Sequence, residues 1–373
     1  MRHHVRTTTA ALAAATLVLA ACSGDAGEEG GAGEASREAS QAGDQPFAGE
    51  ELVVANWKDY GSDRPWAVEE FEEQTGATVT HQYFTSEEEL LTTLREGGVG
   101  EVDVALPNLA YITPAIDEGL LQPVDPGQLE HLDELDPRLR DESGLVVDGE
   151  RYGVPWMWGS TALAYDTDEL DDVSSWDALW DPGNAGQVAF FDDAPTAVMT
   201  SALHLGQDPY DPDLDAVRDD LLALKDNTEL LWASADDWLR AFSGDGVVAG
   251  NLWSGTAGTQ IADGDPLAYV VPDEGAPGWL DTWTLVADAP NPELAHAFID
   301  YMSSEGFQTE FAQDADASAP APANAQAAQA LPDDVADRVG SDTAALDALV
   351  LQRELPDETL QAWTRLWQEV KAD

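Results

Sequence analysis

An α/β protein of two lobes is what this 373-residue sequence predicts. Strand and helix periods alternate along the first third of the chain, and the alternation restarts after Trp158. Residues 47–373 are globular in composition over a length that exceeds what one hydrophobic core usually supports.

The elements follow in order. Leu52-Val53-Val54-Ala55-Asn56 is a short apolar run that reads as a strand. The next segment places Pro65 in a first helical turn, turns Val68 and Phe71 inward and has Gly76 at its stop. Residues 78–84 return as a strand. Ser86 and Glu89 have capping-box spacing ahead of Leu90, Leu91 and Leu94, and Gly97 closes that helix. Val102-Asp103-Val104-Ala105-Leu106 is a further buried strand, so the alternation predicts a parallel sheet. Beyond Trp158, strands are expected near 187–191 and 247–252, and a helix at 292–302 carries Leu294, Phe298 and Ile299. No repeat of solenoid period occurs.

Ahead of this lies an export signal. Arg2 and Arg6 precede an uncharged run, 10–21, that is too short for a permanent membrane span of about 20 residues. Leu19-Ala20-Ala21-Cys22 resembles the lipobox of bacterial lipoproteins, so residues 1–22 are expected to be a lipoprotein signal peptide with lipid attached at Cys22. An ordinary signal peptide with an incidental cysteine is the blander alternative. Cys22 is the only cysteine, which excludes a disulfide framework. Residues 23–46 hold no large apolar side chain, and 23–48 are expected to form a disordered acidic linker. The expected location is the outer face of the cytoplasmic membrane.

Asp and Glu number 73 against 16 Lys and Arg, for a formal net charge of −57. Lys58, Lys225 and Lys371 are the only lysines. Hydrated carboxylates keep a protein soluble where salt screens strongly, so halophilic solubility is the expected meaning; attraction of polycations is the functional alternative. This balance argues against nucleic acid and anionic membrane surfaces as partners, leaving the lipid as the only membrane contact.

In open α/β sheets ligands sit beyond the carboxyl ends of strands. Trp57 and Tyr60 follow the first strand, Asn108 the third, Asp192 and Asp193 the fourth and Trp253 the fifth, while Trp279 and Asp281 open the sixth. Aromatic faces attract ammonium groups by about 0.5–2 kcal/mol each, and a buried ammonium also needs a carboxylate. The set predicts an organic cation. Trp156, Trp158, Trp176 and Trp180 are assigned to packing, and Asp192 and Asp193 are also placed to cap the following helix.

At these residues the chain resembles the spermidine/putrescine-binding proteins of ATP-binding-cassette transporters, within the extracellular solute-binding proteins. The likeness runs through Asn56-Trp57 with Tyr60, Gly119-Leu120-Leu121-Gln122-Pro123, Val154-Pro155-Trp156-Met157-Trp158-Gly159, Ser175-Trp176 with Leu179-Trp180, Phe191-Asp192-Asp193-Ala194 and Trp253-Ser254-Gly255. It implies a type II periplasmic-binding-protein-like clamp, each lobe a mostly parallel sheet flanked by helices. Crossovers are expected near 156–159, 271–279 and 312–324. Lobe 1 would comprise 49–157 with 279–315, and lobe 2 would comprise 158–278 with 320–373. The resemblance also implies a monomer that closes on a polyamine and delivers it to the permease subunits.

Carried over, Trp57, Tyr60, Trp253 and Trp279 would wall the methylene chain. Asp193 and Asp281 would receive the ammonium ends, Gln352 would hydrogen-bond an amine, and Asn108 would stand where a small hydroxyl residue helps hold one. Thr196 departs from a position that is usually acidic, Ala110 and Ala319 replace aromatics, and Lys58 stands where Ser or Thr is frequent. These departures leave open another small amine, an opine whose carboxylate Lys58 or Arg240 would accept, or compensation by Asp236 or Asp237.

Paired carboxylates with tryptophans also mark glycoside hydrolases. No enzyme motif supports that reading: His3, His4, His81, His131, His204 and His296 have no metal-site spacing, and there is no Gly-x-Ser-x-Gly elbow or phosphate loop. Neither catalytic residues, nor a cofactor, nor a metal is expected. A sugar-binding lipoprotein and an adhesive surface protein are the other competing classes.

Overall fold

The computed structural model describes residues 45–372 except 245, 315, 316, 318 and 342. The signal peptide, Cys22 and linker residues 23–44 lie outside the described residues. Residues 45–48, expected as the end of the linker, instead form a turn docked on the chain. Phe47 packs partly buried on the core, and its N–H donates to Thr75 O at 2.9 Å. A single aromatic with a backbone partner is enough to end the acidic leash.

Strand β1 (Glu51–Trp57) leads into the helix Pro65–Thr75, which stops at left-handed Gly76, and β2 (Thr78–Phe84) returns parallel to β1. Ala67, rather than Val68, joins Phe71 on the fully buried face; Val68 is half-buried. The Ser86 hydroxyl accepts the Glu89 N–H, capping the helix Glu87–Thr93. The Glu89 carboxylate reaches one residue further back than a capping box requires, to the Thr85 N–H. Of the strand expected at 102–106, β3 (Val104–Ala105) is ladder-paired.

Short strands β4 (Leu121–Gln122), β5 (Val146–Val147) and β6 (Glu150–Arg151) precede β7 (Gly153–Asp166), which is 14 residues long and buried almost throughout. The second alternation supplies β8 (Val188–Phe191), β9 (Thr228–Trp232), β10 (Ala249–Trp253) and β11 (Leu267–Val270). Strand β12 (Ala276–Val286), the helix Pro292–Ser303, β13 (Ala321–Pro322) and β14 (Leu349–Leu351) complete the set.

The sheet order β2-β1-β3-β12-β7-β10-β8-β9 contains two parallel blocks, β2-β1-β3 and β10-β8-β9. They are joined through β12 and β7, which run antiparallel to β3 and β10 respectively and to each other, so the sheet is mixed rather than parallel. Strand β7 pairs with β12 over its first half and with β10 and β11 over its second, carrying the chain from one block to the other. Strand β13 pairs with β7 at Met157 and Trp158, so all three predicted crossover regions lie side by side.

The apolar cores divide the same way. One holds Leu52, Val54, Trp156, Trp283 and Phe298; another holds Leu163, Trp176, Phe190, Trp363 and Trp367, with Trp232, Trp238 and Leu252 beside it. Ala321, Leu331, Val339 and Leu346 belong to the first core, although 320–373 is expected in the second lobe. That stretch follows β13 along β7, and the tail reaches the second core only from Leu349 on, through Val350, Leu355 and the Trp363 to Val370 face of the helix Asp357–Ala372. The packing assignments hold: Trp156, Trp158 and Trp176 are buried, while Trp180 is partly exposed and stacks on His204 at 3.9 Å. No helix among the described residues is long and apolar enough to cross a membrane.

Candidate ligand-binding site at the strand ends

The loop after β1 is shaped from inside by Asn56. Its amide donates to Tyr60 O at 3.1 Å and to Ser62 Oγ at 2.7 Å, and its Oδ1 accepts the Trp57 N–H. Gly61 has φ +83, and a Cβ there would meet the Trp156 indole at 2.9 Å, so only glycine lets the loop lie on that ring. The Tyr60 ring is thereby set edge-on against Trp156, with centroids 4.8 Å apart.

Trp279 and Asp281 lie within β12 rather than at its start, because the strand begins earlier in order to carry the crossover. The register slips between Asp281 and Thr282, with Asp281 opposite Met157 and Thr282 opposite Pro155, which leaves Trp156 as the extra residue of a bulge. Asp281 is 8% exposed. The Tyr60 hydroxyl donates to its Oδ2 at 2.8 Å, and the Asn108 amide donates to its Oδ1 at 3.1 Å. No cation pairs with it among the described residues. Burial pushes its carboxyl up to about 6, with the two hydrogen bonds working against that rise. Tyr60 is held well above the ordinary phenol range by burial and by the charge of Asp281.

Asn108 Oδ1 caps the short turn Leu109–Tyr111 by accepting the Ala110 N–H. Its amide nitrogen faces Asp281, so Asn108 supports that carboxylate instead of presenting an open acceptor.

On the other block, Asp193 caps the helix Ala194–His204 by accepting the Thr196 N–H at 2.9 Å. Burial raises its pKa, the Thr196 bonds lower it, and the like charges of Glu88 and Asp192 raise it. Gln352 Nε2 reaches Thr196 Oγ1 at 3.3 Å, and its N–H donates to Gly278 O at 2.7 Å. Asp193, Thr196 and Gln352 therefore stand together. Asp192 does not join them: its Oδ1 accepts from Trp367 Nε1 and Lys371 Nζ, fastening the C-terminal helix.

Of the aromatic set, Trp253 ends β10 and meets Phe191 and Trp232 edge-on at 5.1 and 4.9 Å. Trp57 meets Phe84 edge-on at 4.6 Å. Trp279 lies over Gly159, its register partner on β7, where a Cβ would come within 2.3 Å of the indole. All three tryptophans are partly exposed. Lys58 is exposed, and Asp237 is tied to Ser234 and Arg240 on an outer helix, where Asp236 is also exposed.

Two carboxylates that sequence reasoning missed face this constellation from the first turn of the helix Glu87–Thr93. Glu87 Oε1 accepts the Asn108 N–H at 3.0 Å, and Glu88 accepts the Tyr111 hydroxyl at 2.9 Å while its charge acts on Asp193. The signal available was the triple acid Glu87-Glu88-Glu89 after Ser86. It passes for ordinary helix-start chemistry.

A surface groove of about 1130 Å³, lined by Arg64, Trp66, Glu69, Glu310 and Asp314 among others, shares no residue with this constellation. No group of three or more metal-ligating side chains occurs among the described residues.

The family described as "Bacterial extracellular solute-binding protein" matches residues 66–340. The chain is 31% identical over 262 residues to the spermidine/putrescine-binding periplasmic protein 1 of Haemophilus influenzae, covering 68% of this chain and 71% of that one. It is 29% identical over 273 residues to the putrescine-binding periplasmic protein PotF of Escherichia coli, covering 67% and 72%. The spermidine/putrescine ABC transporter substrate-binding protein PotD of Streptococcus pneumoniae superposes with a TM-score of 0.77 at 24% identity, covering 87% of this chain and 99% of that one, and so shares the fold.

Proposed function

The chain belongs to the bacterial extracellular solute-binding proteins, and on that premise we propose that it captures a polyamine of the spermidine/putrescine class between its two lobes for an ATP-binding-cassette importer. Asp281 carries the proposal: a buried carboxylate oriented by Tyr60 and Asn108, with no cation beside it among the described residues. Such a group is costly unless a ligand cation completes it. Trp57, Trp253 and Trp279 supply partly exposed aromatic surface suited to methylene groups and to ammonium. Asp193 and Gln352 are the counterpart on the second lobe. Nearby relatives named for spermidine and putrescine support the same solute class.

In this reading the empty clamp rests open, the amine bridges contacts from both lobes, and the closed form engages the permease. The chain acts as a monomer, captures and delivers without chemistry, and is held at the membrane by lipid on Cys22. Replacing Cys22 by Ser should release it into the medium.

Titration calorimetry of the mature protein in high salt with putrescine, spermidine, an opine and maltose tests the solute class. Heat with a polyamine and none with maltose is expected. No heat with either polyamine overturns the reading.

A further inference from the structure

Glu87 is a carboxylate of the constellation that the account above leaves without a ligand role. One of its oxygens is committed to the Asn108 N–H. The other, Oε2, is shut off from solvent and meets no donor among the described residues. Asn108 gives its backbone N–H to Glu87 and its side-chain amide to Asp281, so a single residue ties the two carboxylates into one unit. Burial first, then the charge of Asp281, and lastly that of Glu88 hold Glu87 well above the usual carboxylate range, against the Asn108 hydrogen bond. A helix-start acid with only a capping duty would face water or the helix N–H groups; the N–H at the third helical position is already satisfied by Ser86.

We propose that Glu87 is a ligand-binding residue, which with Asp281 forms a two-carboxylate seat for one primary ammonium group of the solute. This deepens the polyamine reading and rests on it. A primary ammonium offers three N–H donors. Glu87 Oε2 takes one and an Asp281 oxygen a second. The Tyr60 hydroxyl, whose hydrogen is committed to Asp281, keeps a lone pair for the third. A quaternary ammonium has no N–H and would leave Oε2 unpaired, while a solute carboxylate would add a third negative charge in the same place. This end of the site therefore selects an ammonium with free N–H groups and excludes the acidic end of an opine.

Calorimetry with putrescine and with its hexamethylated bis-quaternary analogue, together with thermal unfolding, tests this on the mature protein and on Glu87→Gln and Glu87→Asp. Glu87→Gln should bind putrescine about 10- to 100-fold more weakly, as loss of a charge-assisted pair predicts, while its ligand-free unfolding midpoint rises because a buried like charge is removed. Glu87→Asp should keep part of the affinity, and the quaternary analogue should bind the unmodified protein poorly. Putrescine binding unchanged within twofold in Glu87→Gln overturns the proposal alone. Failure of the unmodified protein to bind any amine overturns the polyamine reading and the proposal with it.

Discussion

The Tyr60 hydroxyl donates to Asp281 at 2.8 Å across 221 residues of sequence, joining the loop after the first strand to the middle of the crossover strand β12. The bond orients the carboxylate and stabilises its charge without neutralising it.

Replacing Asp281 by Asn keeps the shape and removes the charge. Putrescine affinity should fall about 10- to 100-fold, corresponding to about 1.5–3 kcal/mol for a hydrogen bond to a charged group. Calorimetry reads this directly. A hydroxylated sugar held by the same residue would lose much less, so equal binding by both proteins would count against a cationic solute.

Affinity should depend on pH through the same group. Tyr60 and Asn108 bond to Asp281, and the acids Glu87, Glu88 and Asp193 stand in the same constellation. With Asp281 raised from 3.8 to about 6, the native protein binds more protons than the unfolded chain in that window. Ligand-free stability should therefore fall as pH rises from about 4 to about 6, by on the order of 3 kcal/mol. Binding has the opposite sign: the cation needs the ionised acid, so affinity should fall below about pH 6, roughly tenfold per unit for each proton displaced. Titrations in buffers of different ionisation heat would count the protons.

Gly159 leaves room for the Trp279 indole against β7. An added Cβ would come within 2.3 Å of the ring and 2.6 Å of Ser254 Oγ. Gly159→Ala should displace the indole, costing about 1–3 kcal/mol of stability as overpacking does. Thermal unfolding and tryptophan fluorescence would check it, with weakened amine binding as the accompanying effect.

Asp192, beside Asp193 in sequence, should behave quite differently from its neighbour. Asp192→Asn loses the Lys371 ion pair and weakens the Trp367 bond that fasten the helix Asp357–Ala372. About 1 kcal/mol of stability should go, with putrescine affinity unchanged within twofold. Asp193→Asn should cost both. Urea unfolding and calorimetry on the two variants separate the roles.

Much of this was legible because local chemistry and tertiary structure agree. Pro65 and Gly76 bound their helix, Ser86 caps the next, and Leu294, Phe298 and Ile299 lie on one buried face. Asp281 stood out because a lone acid between two tryptophans has no bland use. The position of Trp279 and Asp281 within their strand was hidden, since the strand's start is fixed by pairing with β14 and β7, which sequence period does not report. Glu87 and Glu88 were hidden for the opposite reason: acids are expected in a first helical turn, and only tertiary structure shows that one of them is cut off from water. The division of the tail between two cores was likewise unreadable, because alanine-rich stretches carry little apolar signal.

Strands β12, β7 and β13 are hydrogen-bonded edge to edge near Met157 and Trp158, and β7 and β12 carry the chain between the halves there. A ribbon of that width bends easily out of its own plane and hardly at all within it. In the proposed clamp such a junction would act as a leaf spring, soft to bending out of its plane. Closure on a solute would then follow that single direction of bending.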